Sequence, residues 1–299
     1  MKKLSIITVN FNQPQATLEL LRSIDLLKQY GDAEIIVVDN GSITNATKEL
    51  SFEFPEVTYI RSEKNLGFAG GNNLGVEKAS GDYLFFVNND TEFTAGLIEK
   101  LIALLESKPL AGIVCPKIIY YAQQNTIQYA GFTKMNFYTG RNKCIGQLET
   151  DYGQYGSTSY RTEFAHGAAM MLRRSAIEKA GSMPENYFLY YEEMEWCESI
   201  KKYGYEIWID PSAVIYHKES LSTGQNSPMK EYFMTRNRIL FIRRNATPLT
   251  VIIFHLYFYT LVLPRNLYRY LAANRIDLAK AFFKGIWWNI THQKDSLNR

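Results

Sequence analysis

The first third of the chain alternates short apolar runs with segments of helical periodicity, and few folds accommodate that alternation. LSIITVNF (4–11), EIIVVDNGS (34–42) and VTYIRS (57–62) have the length and composition of buried strands. Residues 15–30, between the first two runs, place apolar side chains about one helical turn apart. Because strands separated by helices build βαβ units, the pattern predicts an α/β fold with a mostly parallel, Rossmann-like sheet flanked by helices.

The same pattern continues along the chain with one interruption. Further predicted elements are a short helix after Gly70, strands at 83–90 and 111–120, a helix at 95–107, a strand leading into a helix at 166–175, a helix at 191–204 and an extended segment at 206–217. Residues 120–165 are polar and rich in Tyr and Gly, which indicates hairpins and loops. No repeat or low-complexity linker divides the chain, so we expect one domain at 1–228 and an extension at 229–299.

Polar side chains end three of the predicted strands, at Asn10–Asn12, Asp39–Ser42 and Asn88–Asp90. Ligands of open α/β sheets bind beyond the carboxyl ends of the strands, so three such ends predict one binding site. Each end alone is also typical of a turn, and Asp90 is also placed to cap the helix that follows it.

The glycines and the carboxylate limit what that site can bind. The sequence has neither a GxGxxG fingerprint after a strand nor a P-loop, which argues against a standard dinucleotide or P-loop site. Gly67, Gly70 and Gly71 would still let the backbone approach a ligand closely. Asp90 is a hard oxygen ligand suited to Mg²⁺ or Mn²⁺ on a diphosphate.

A second acidic cluster lies in the predicted helix at 191–204 and comprises Glu192, Glu193, Glu195 and Glu198. Acidic residues in a first helical turn often only complement the helix dipole. Here the aromatic stretch at 187–191 precedes them, and an apolar wall can raise the pKa of a carboxyl group and favour general-base chemistry. His217, at the end of a predicted strand, is either a metal or phosphate ligand or a structural residue.

Charge is distributed unevenly along the chain. Residues 229–299 hold 12 Lys and Arg against 3 Asp and Glu, a net charge of +9, whereas the remainder carries −6. The segment 248–264 has 15 residues between two prolines, fewer than the roughly 20 that a span needs. We expect a helix lying in the membrane interface; a buried helix is the alternative, and the aromatic content argues against nucleic acid.

The cysteines and the N-terminus indicate the compartment. Three widely separated cysteines form no disulfide framework and no CxxC pair, which suggests a reducing environment. The apolar run after MKK is too short for a signal peptide and lacks a cleavage site, so we interpret it as a strand. The predicted location is the cytoplasm, peripheral on the inner face of the plasma membrane.

The order of the motifs resembles a known family. VVDNGS, NLGFAGGNN, the NND strand end, FLYYEEMEWC and His217 with KESLS follow one another as in the inverting GT-A glycosyltransferases of family 2. The sequence is most similar to the rhamnosyltransferase-like branch that builds bacterial cell-surface polysaccharides. The resemblance covers about residues 3–245, and it rests on the order and spacing of motifs that are individually weak.

The resemblance implies roles for particular residues. Val9 and Asn10 would border the nucleobase, and Asp39 would accept a hydrogen bond from a pyrimidine ring. Further residues of the nucleotide-sugar pocket would be Asn40, Ser42, Asn65, Gly67, Gly71 and Asn72. The segment Asn88, Asn89, Asp90 replaces the DxD motif of the family. Asp90 would be the metal carboxylate for Mg²⁺ or Mn²⁺, and His217 a second ligand or a diphosphate contact.

The resemblance also implies a reaction. Glu193 aligns with the catalytic Asp of the family but is one methylene longer, so Glu192 is the alternative base. The implied donor is dTDP-rhamnose or a UDP-sugar, and the implied acceptor is a saccharide or a lipid-linked saccharide. Two other interpretations stay open: a sugar-1-phosphate nucleotidyltransferase, although NFNQPQ lacks its usual Gly-rich basic loop, and a non-catalytic binding subunit on the same fold.

Overall fold

The computed structural model describes residues 3–27, 33–123, 125–218 and 227–292. The strands are β1 Leu4–Asn10, β2 Glu34–Asn40, β3 Thr58–Ser62, β4 Tyr83–Val87, β5 Thr91–Phe93, β6 Ala111–Tyr120, β7 Ile127–Tyr129, β8 Tyr160–Arg161, β9 Ala169–Arg173 and β10 Glu206–His217. The helices are α1 Pro14–Leu27, α2 Thr47–Glu53, α3 Gly67–Lys78, α4 Leu97–Ser107, α5 Arg174–Ala180, α6 Glu192–Lys202, α7 Pro228–Asn245, α8 Pro248–Tyr257, α9 Leu263–Ala272 and α10 Ile276–Thr291.

The chain divides into two compact units. The first comprises Met1–Thr133, Cys144–Phe188 and Glu192–Ser222, and the second comprises Lys134–Lys143, Leu189–Tyr191 and Thr223–Arg299. The second unit therefore takes two short segments from the middle of the sequence in addition to the C-terminal helices.

Within the described residues, ten strands of the first unit form one mixed sheet. Eight of them follow the order β3-β2-β1-β4-β9-β6-β10-β5, and β7 and β8 pair with β6 and β10 in addition. The strands β3, β2, β1 and β4 run parallel, as the βαβ pattern predicts. Strand β9 lies antiparallel to both of its neighbours, β4 and β6, so the sheet is mixed. The central strands are buried on both faces, which explains their uninterrupted apolar runs.

Helices α1, α2 and α3 pack closely against β1 and β2. Leu18 and Leu21 of α1 and Leu50 of α2 pack against Val37 of β2. Helix α3 lies so close to β1 that a β-carbon on Gly75 would overlap the Ile7 side chain. Glycine at this position lets the helix approach the sheet, although glycine is a poor helix former.

The second unit has a polar core between two helices. Arg236 of α7 is buried, and its guanidinium lies over the rings of Trp288 and Phe233 at 4.6 and 5.0 Å. The buried Asn289 side chain of α10 donates to the backbone carbonyl of Arg236 at 2.9 Å. Gly285 allows close contact of the two helices, because a β-carbon there would lie 2.9 Å from the carbonyl oxygen of Tyr232.

The apolar segment of the second unit is longer than its two prolines suggest. Helix α8 continues through a π-helical turn, Phe258–Val262, directly into α9, so the helix does not end at Pro264. Proline removes one helical hydrogen bond and collides with a carbonyl of the preceding turn, and a wider π turn relieves that collision. Of the described residues, Pro248–Ala272 is one helix whose length and composition suffice to cross a bilayer; only 17% of its most apolar part is buried.

Candidate active site

The two predicted metal ligands, Asp90 and His217, lie close together because β5 pairs with β10. Strand β4 ends at Val87, and after the turn at residues 88–90 the chain returns as β5, which pairs with the end of β10. This pairing places Thr91 opposite His217. The Nε2 atom of His217 lies 3.1 Å from Oδ1 of Asp90, and the Lys218 amide donates to the Asp90 carbonyl at 2.9 Å.

Hydrogen bonds define which nitrogen of His217 carries the proton. Oε1 of Gln128 lies 2.7 Å from Nδ1, and an amide oxygen only accepts, so Nδ1 is the donor. On the other side of the ring, Nδ2 of Asn88 lies 3.4 Å from Nε2 and can donate to it. In the neutral ring Nε2 therefore carries no proton, and it lies 3.1 Å from Oδ1 of Asp90.

This arrangement fits a divalent cation. Oδ1 of Asp90 is buried and has no hydrogen-bond donor within the part of the chain that the structure describes. A carboxylate oxygen and an imidazole lone pair that face each other at 3.1 Å repel unless a cation or a proton lies between them. The described ranges contain no group of three or more His, Cys, Asp or Glu residues arranged around a metal. Asp90 and His217 are the described residues that would hold a divalent cation here, and its other ligands would come from outside this set.

A second histidine lies beside the first. The ring of His166 is 6.3 Å from that of His217, and it also packs against Tyr129 and Phe132. Burial lowers the pKa of His166 to about 3, so this ring is neutral near pH 7. His166 therefore contributes shape to the site without adding a positive charge.

The predicted base lies next to the same strand ends. The Asn88 amide donates to the Ala168 carbonyl at 2.9 Å, and Gly167 precedes that residue. A β-carbon on Gly167 would lie 3.9 Å from Cδ of Glu193 and 3.5 Å from the Phe68 ring. A side chain at residue 167 would therefore contact both Phe68 and the Glu193 carboxylate, one residue before the carbonyl that accepts from the Asn88 amide.

The acidic side chains at the start of α6 differ in their exposure to solvent. Glu193 is partly exposed, whereas Glu192 and Glu195 are 3% and 4% exposed. The hydroxyl of Tyr187 donates to Glu195 at 2.9 Å, so one of the predicted aromatic residues has a structural partner. Among these three side chains, the geometry favours Glu193 over Glu192 for contact with a bound substrate.

The segment before α6 is strained. Phe188, Tyr190 and Tyr191 have φ angles of 64°, 68° and 77°, a region that bulky side chains rarely adopt. The Phe68 amide donates to the Phe188 carbonyl at 2.8 Å. Within the second unit, the Asn237 side chain donates to the carbonyls of Leu189 and Tyr190, both at 2.7 Å.

The predicted nucleobase residues form one hydrogen-bonded cluster at the ends of β1 and β2. Oδ1 of Asp39 accepts from the Ser42 amide at 3.2 Å and from Nδ2 of Asn10 at 3.4 Å. Arg61, at the end of β3, forms an ion pair with Oδ2 of Asp39 and donates to the Ser42 carbonyl at 2.8 Å. Asp39 is 5% exposed, and the arginine keeps it oriented at the strand end.

Several other predicted residues bind the protein itself. The Asn40 side chain donates to the Gly67 carbonyl and to Asn65, and it accepts from the Leu66 amide at 3.0 Å. Gly67 has a φ of 76°, and a β-carbon there would overlap the Phe188 carbonyl. Asn40, Asn65 and Gly67 thus shape the loop before α3.

The remaining predicted residues lie on either side of this cluster. Gly71 faces Val9, since a β-carbon on Gly71 would lie 2.9 Å from the valine side chain. Asn72 bonds within its own helix, to the Phe68 carbonyl at 2.9 Å. Asn89 donates to the Thr17 hydroxyl at 3.0 Å, and that hydroxyl donates to Asn10. These hydrogen bonds link the turn at residues 88–90 to the cluster formed by Asn10, Asp39 and Ser42.

Sequence reasoning missed three residues of the site. Arg61 ends a strand, and the strand-end rule that found Asp39 would also have found it. Gln128 and His166 lie at positions where the sequence offers no comparable signal: Gln128 lies in the weakly patterned segment at 120–165, and His166 follows it.

The comparisons with known proteins agree with the predicted family and fold. The profile of glycosyl transferase family 2 matches residues 5–181, and this chain belongs to that family. The family and the mixed α/β sheet confirm the predicted GT-A class, and an apolar C-terminal helix is present.

Three relatives match over most of their length. The low-salt glycan biosynthesis hexosyltransferase Agl10 of Haloferax volcanii is 27% identical over 79% of this chain and 74% of its own. The dTDP-rhamnosyl transferase RfbF of Shigella flexneri is 27% identical over 77% and 78%. An N-acetylglucosaminyl-diphospho-decaprenol L-rhamnosyltransferase of Mycobacterium tuberculosis is 22% identical over 75% and 78%.

A solved structure supports the fold. GalNAc-T7, crystallised with UDP, GalNAc and Mn²⁺, superposes with a TM-score of 0.68 at 16% identity. The match covers 98% of this chain, which spans 57% of the length of that protein.

Proposed function

We propose that this chain is a metal-dependent, inverting glycosyltransferase of cell-surface polysaccharide synthesis. The proposed donor is dTDP-rhamnose or a UDP-sugar, and the proposed acceptor is a saccharide or a lipid-linked saccharide. The observation that carries the proposal is the close approach of Asp90 and His217 at the strand ends, with Glu193 beside Gly167, which precedes the hydrogen-bond partner of the Asn88 amide. The names of the rhamnosyltransferase relatives support the choice of donor and of a lipid-linked acceptor.

The residues would divide the reaction between them. Glu193 accepts the proton of an acceptor hydroxyl, whose oxygen bonds to the anomeric carbon of the donor. The bond from that carbon to the phosphate oxygen breaks, and its electron pair leaves with the nucleoside diphosphate. Attack from the face opposite the leaving group inverts the anomeric centre. Asp90 and His217 would hold the cation, which neutralises charge on the departing diphosphate.

The two ends of the chain would have separate tasks. Residues 1–228 would carry the donor and acceptor sites, and residues 229–299 would hold the protein on a membrane. The net charge of +9 in the extension and the exposed apolar side chains of its long helix support contact with anionic lipid. The proposed location is the cytoplasmic face of the plasma membrane.

The test compares two isosteric substitutions on one helix. Glu193→Gln should lower sugar transfer by ~100-fold or more because it removes the base, while leaving nucleotide binding unchanged. Glu198→Gln, one turn along α6, removes only a contact with Lys201 at 2.8 Å and should retain full activity. Transfer is measured as nucleoside diphosphate released from dTDP-rhamnose and from UDP-sugars with membrane lipid extracts as acceptor. Full activity of Glu193→Gln would reject Glu193 as the base, and full activity of Asp90→Ala would reject the metal site.

A further inference from the structure

A short basic segment of the chain belongs to the helical unit and not to the sheet. Residues 134–143, KMNFYTGRNK, contain three cations and no acidic residue. Lys134, Arg141 and Lys143 are exposed, and the ring of Tyr138 is 54% exposed. We call residues 134–143 the basic loop. It lies within residues 120–165, which the sequence predicts to be hairpins and loops.

Specific contacts fix the basic loop to α7 and α8. Arg238 donates a hydrogen bond to the Thr139 carbonyl, and the ring of Phe137 stacks on Phe241 at 6.1 Å. Gly140 lies against α8, because a β-carbon there would be 3.0 Å from the Phe254 ring. The position of the loop within the second unit is therefore determined by packing.

The loop lies beside the first turns of α8, on the side of Thr250 and Phe254. An open groove of about 400 Å³ is lined by residues 134–138 and by Thr250, in the first turn of that helix. Leu249, Ile252 and Leu256 lie on another face of α8 and are 58–67% exposed. Cations and an exposed tyrosine near the start of a helix that also carries an exposed aliphatic stripe are the composition that binds lipid headgroups and the adjoining acyl region.

We propose that the basic loop is a second membrane-contacting element, which binds the anionic headgroups of the bilayer on which the apolar face of α8 rests. The proposal rests on the membrane association proposed above and extends it to residues outside the C-terminal segment. The aliphatic stripe favours lipid over nucleic acid as the polyanion, since a nucleic acid backbone offers nothing to cover Leu249, Ile252 and Leu256.

The experiment measures binding of the full chain to vesicles of phosphatidylcholine with and without phosphatidylglycerol. The test variant is Lys134→Gln/Arg141→Gln/Lys143→Gln. Each cation near an anionic surface contributes roughly fivefold to partitioning, so the triple variant should bind anionic vesicles about 100-fold more weakly. The matched control replaces three exposed lysines of the first unit, Lys48→Gln/Lys78→Gln/Lys179→Gln, and should bind like the wild type.

Further variants distinguish the outcomes. Lys134→Arg/Lys143→Arg keeps the charge and should keep the affinity, which excludes a folding defect as the cause of the loss. Unchanged vesicle binding of the glutamine loop variant, or an equal loss in the lysine control, would overturn the proposal. The proposal would also be overturned if the glutamine loop variant bound vesicles like the wild type and lost only its binding to duplex DNA. If the wild type binds no vesicle at all, the membrane association itself is rejected, while the transferase activity is tested separately by the Glu193 variants.

Discussion

At the scale of single residues, the proton on His217 decides what the Asp90 turn can bind. Gln128 is buried and supplies the acceptor for Nδ1, so Nε2 is left to face the carboxylate. Partners of this kind orient imidazole ligands, and their removal typically costs 10–100-fold in metal affinity. Gln128 is thus a positioning residue: it orients the His217 ring and would affect metal affinity without touching the metal.

Gln128→Leu should weaken Mn²⁺ binding by roughly 10–100-fold, measured by electron paramagnetic resonance in the presence of dTDP or UDP. Gln128→Glu keeps an acceptor and should bind Mn²⁺ at least as tightly as the wild type. Without metal, nitrogen NMR of the neutral His217 ring should show the tautomer that carries its proton on Nδ1. In Gln128→Leu the same measurement should show a mixture of the two neutral tautomers, with the proton on Nδ1 or on Nε2.

Tyr129→Phe is the control for Gln128→Leu on the same strand. It removes a buried hydrogen bond to the Phe164 carbonyl at 2.9 Å without touching His217. Mn²⁺ affinity should be unchanged in this variant. Wild-type affinity in Gln128→Leu, or a proton on Nε2 in the wild-type ring, would contradict the role given to Gln128.

The sequence predicts residues whose chemistry is visible at strand ends and misses those that act through tertiary contacts. Asp39, Asp90 and His217 each follow an apolar run, so a rule about strand ends finds them. Gln128 bonds to a side chain 89 positions away, and the pairings of β7 with β6 and of β6 with β10 bring the two together. The roles of Glu193 and of the nucleotide residues stay predictions for the experiments above to test.

At the scale of elements, α3 is placed by its glycines and not by helix propensity. Gly75→Ala should lower the free energy of unfolding by about 1–3 kcal/mol, because the new methyl group overlaps Ile7. Propensity alone would favour alanine by about 1 kcal/mol, so the sign of the change is diagnostic. Urea denaturation measures the change in the free energy of unfolding. The destabilisation by Gly75→Ala should be smaller in a protein that also carries Ile7→Ala, because that substitution removes the overlapping side chain. A stabilising Gly75→Ala would show that α3 can move away from β1.

Element boundaries follow the sequence pattern where periodicity is strong. The first predicted helix, 15–30, is observed as Pro14–Leu27, and its last predicted residues lie outside the described ranges. Helix α2 was missed because its seven residues bury one apolar side chain, Leu50, and give no periodic signal. The continuation of α8 past Pro264 could not be predicted, since a π turn is not readable from residue types.

At the scale of the whole molecule, donor binding should appear as stability. A ligand at about a hundred times its Kd adds ~2.7 kcal/mol to the free energy of unfolding, a melting shift of a few degrees. In a panel of UDP, dTDP, GDP and ADP with and without Mn²⁺, UDP or dTDP should raise the Tm, and only with the metal. Asp90→Ala should abolish the shift while keeping the unliganded Tm near that of the wild type. A shift with GDP or ADP alone would contradict the assignment of a pyrimidine pocket.

The two edge strands of the sheet, β3 and β5, affect the solubility of the protein. Strand β3 has five residues and β5 has three, so either end offers few unpaired amides and carbonyls to another chain. Arg61 is one of the last residues of β3, and Glu63 and Lys64 follow the strand. Short, charged edges resist the strand addition that nucleates aggregates. Any aggregation of this protein at high concentration should therefore come from the exposed apolar side chains of its C-terminal helices, which detergent covers, and not from growth of the sheet.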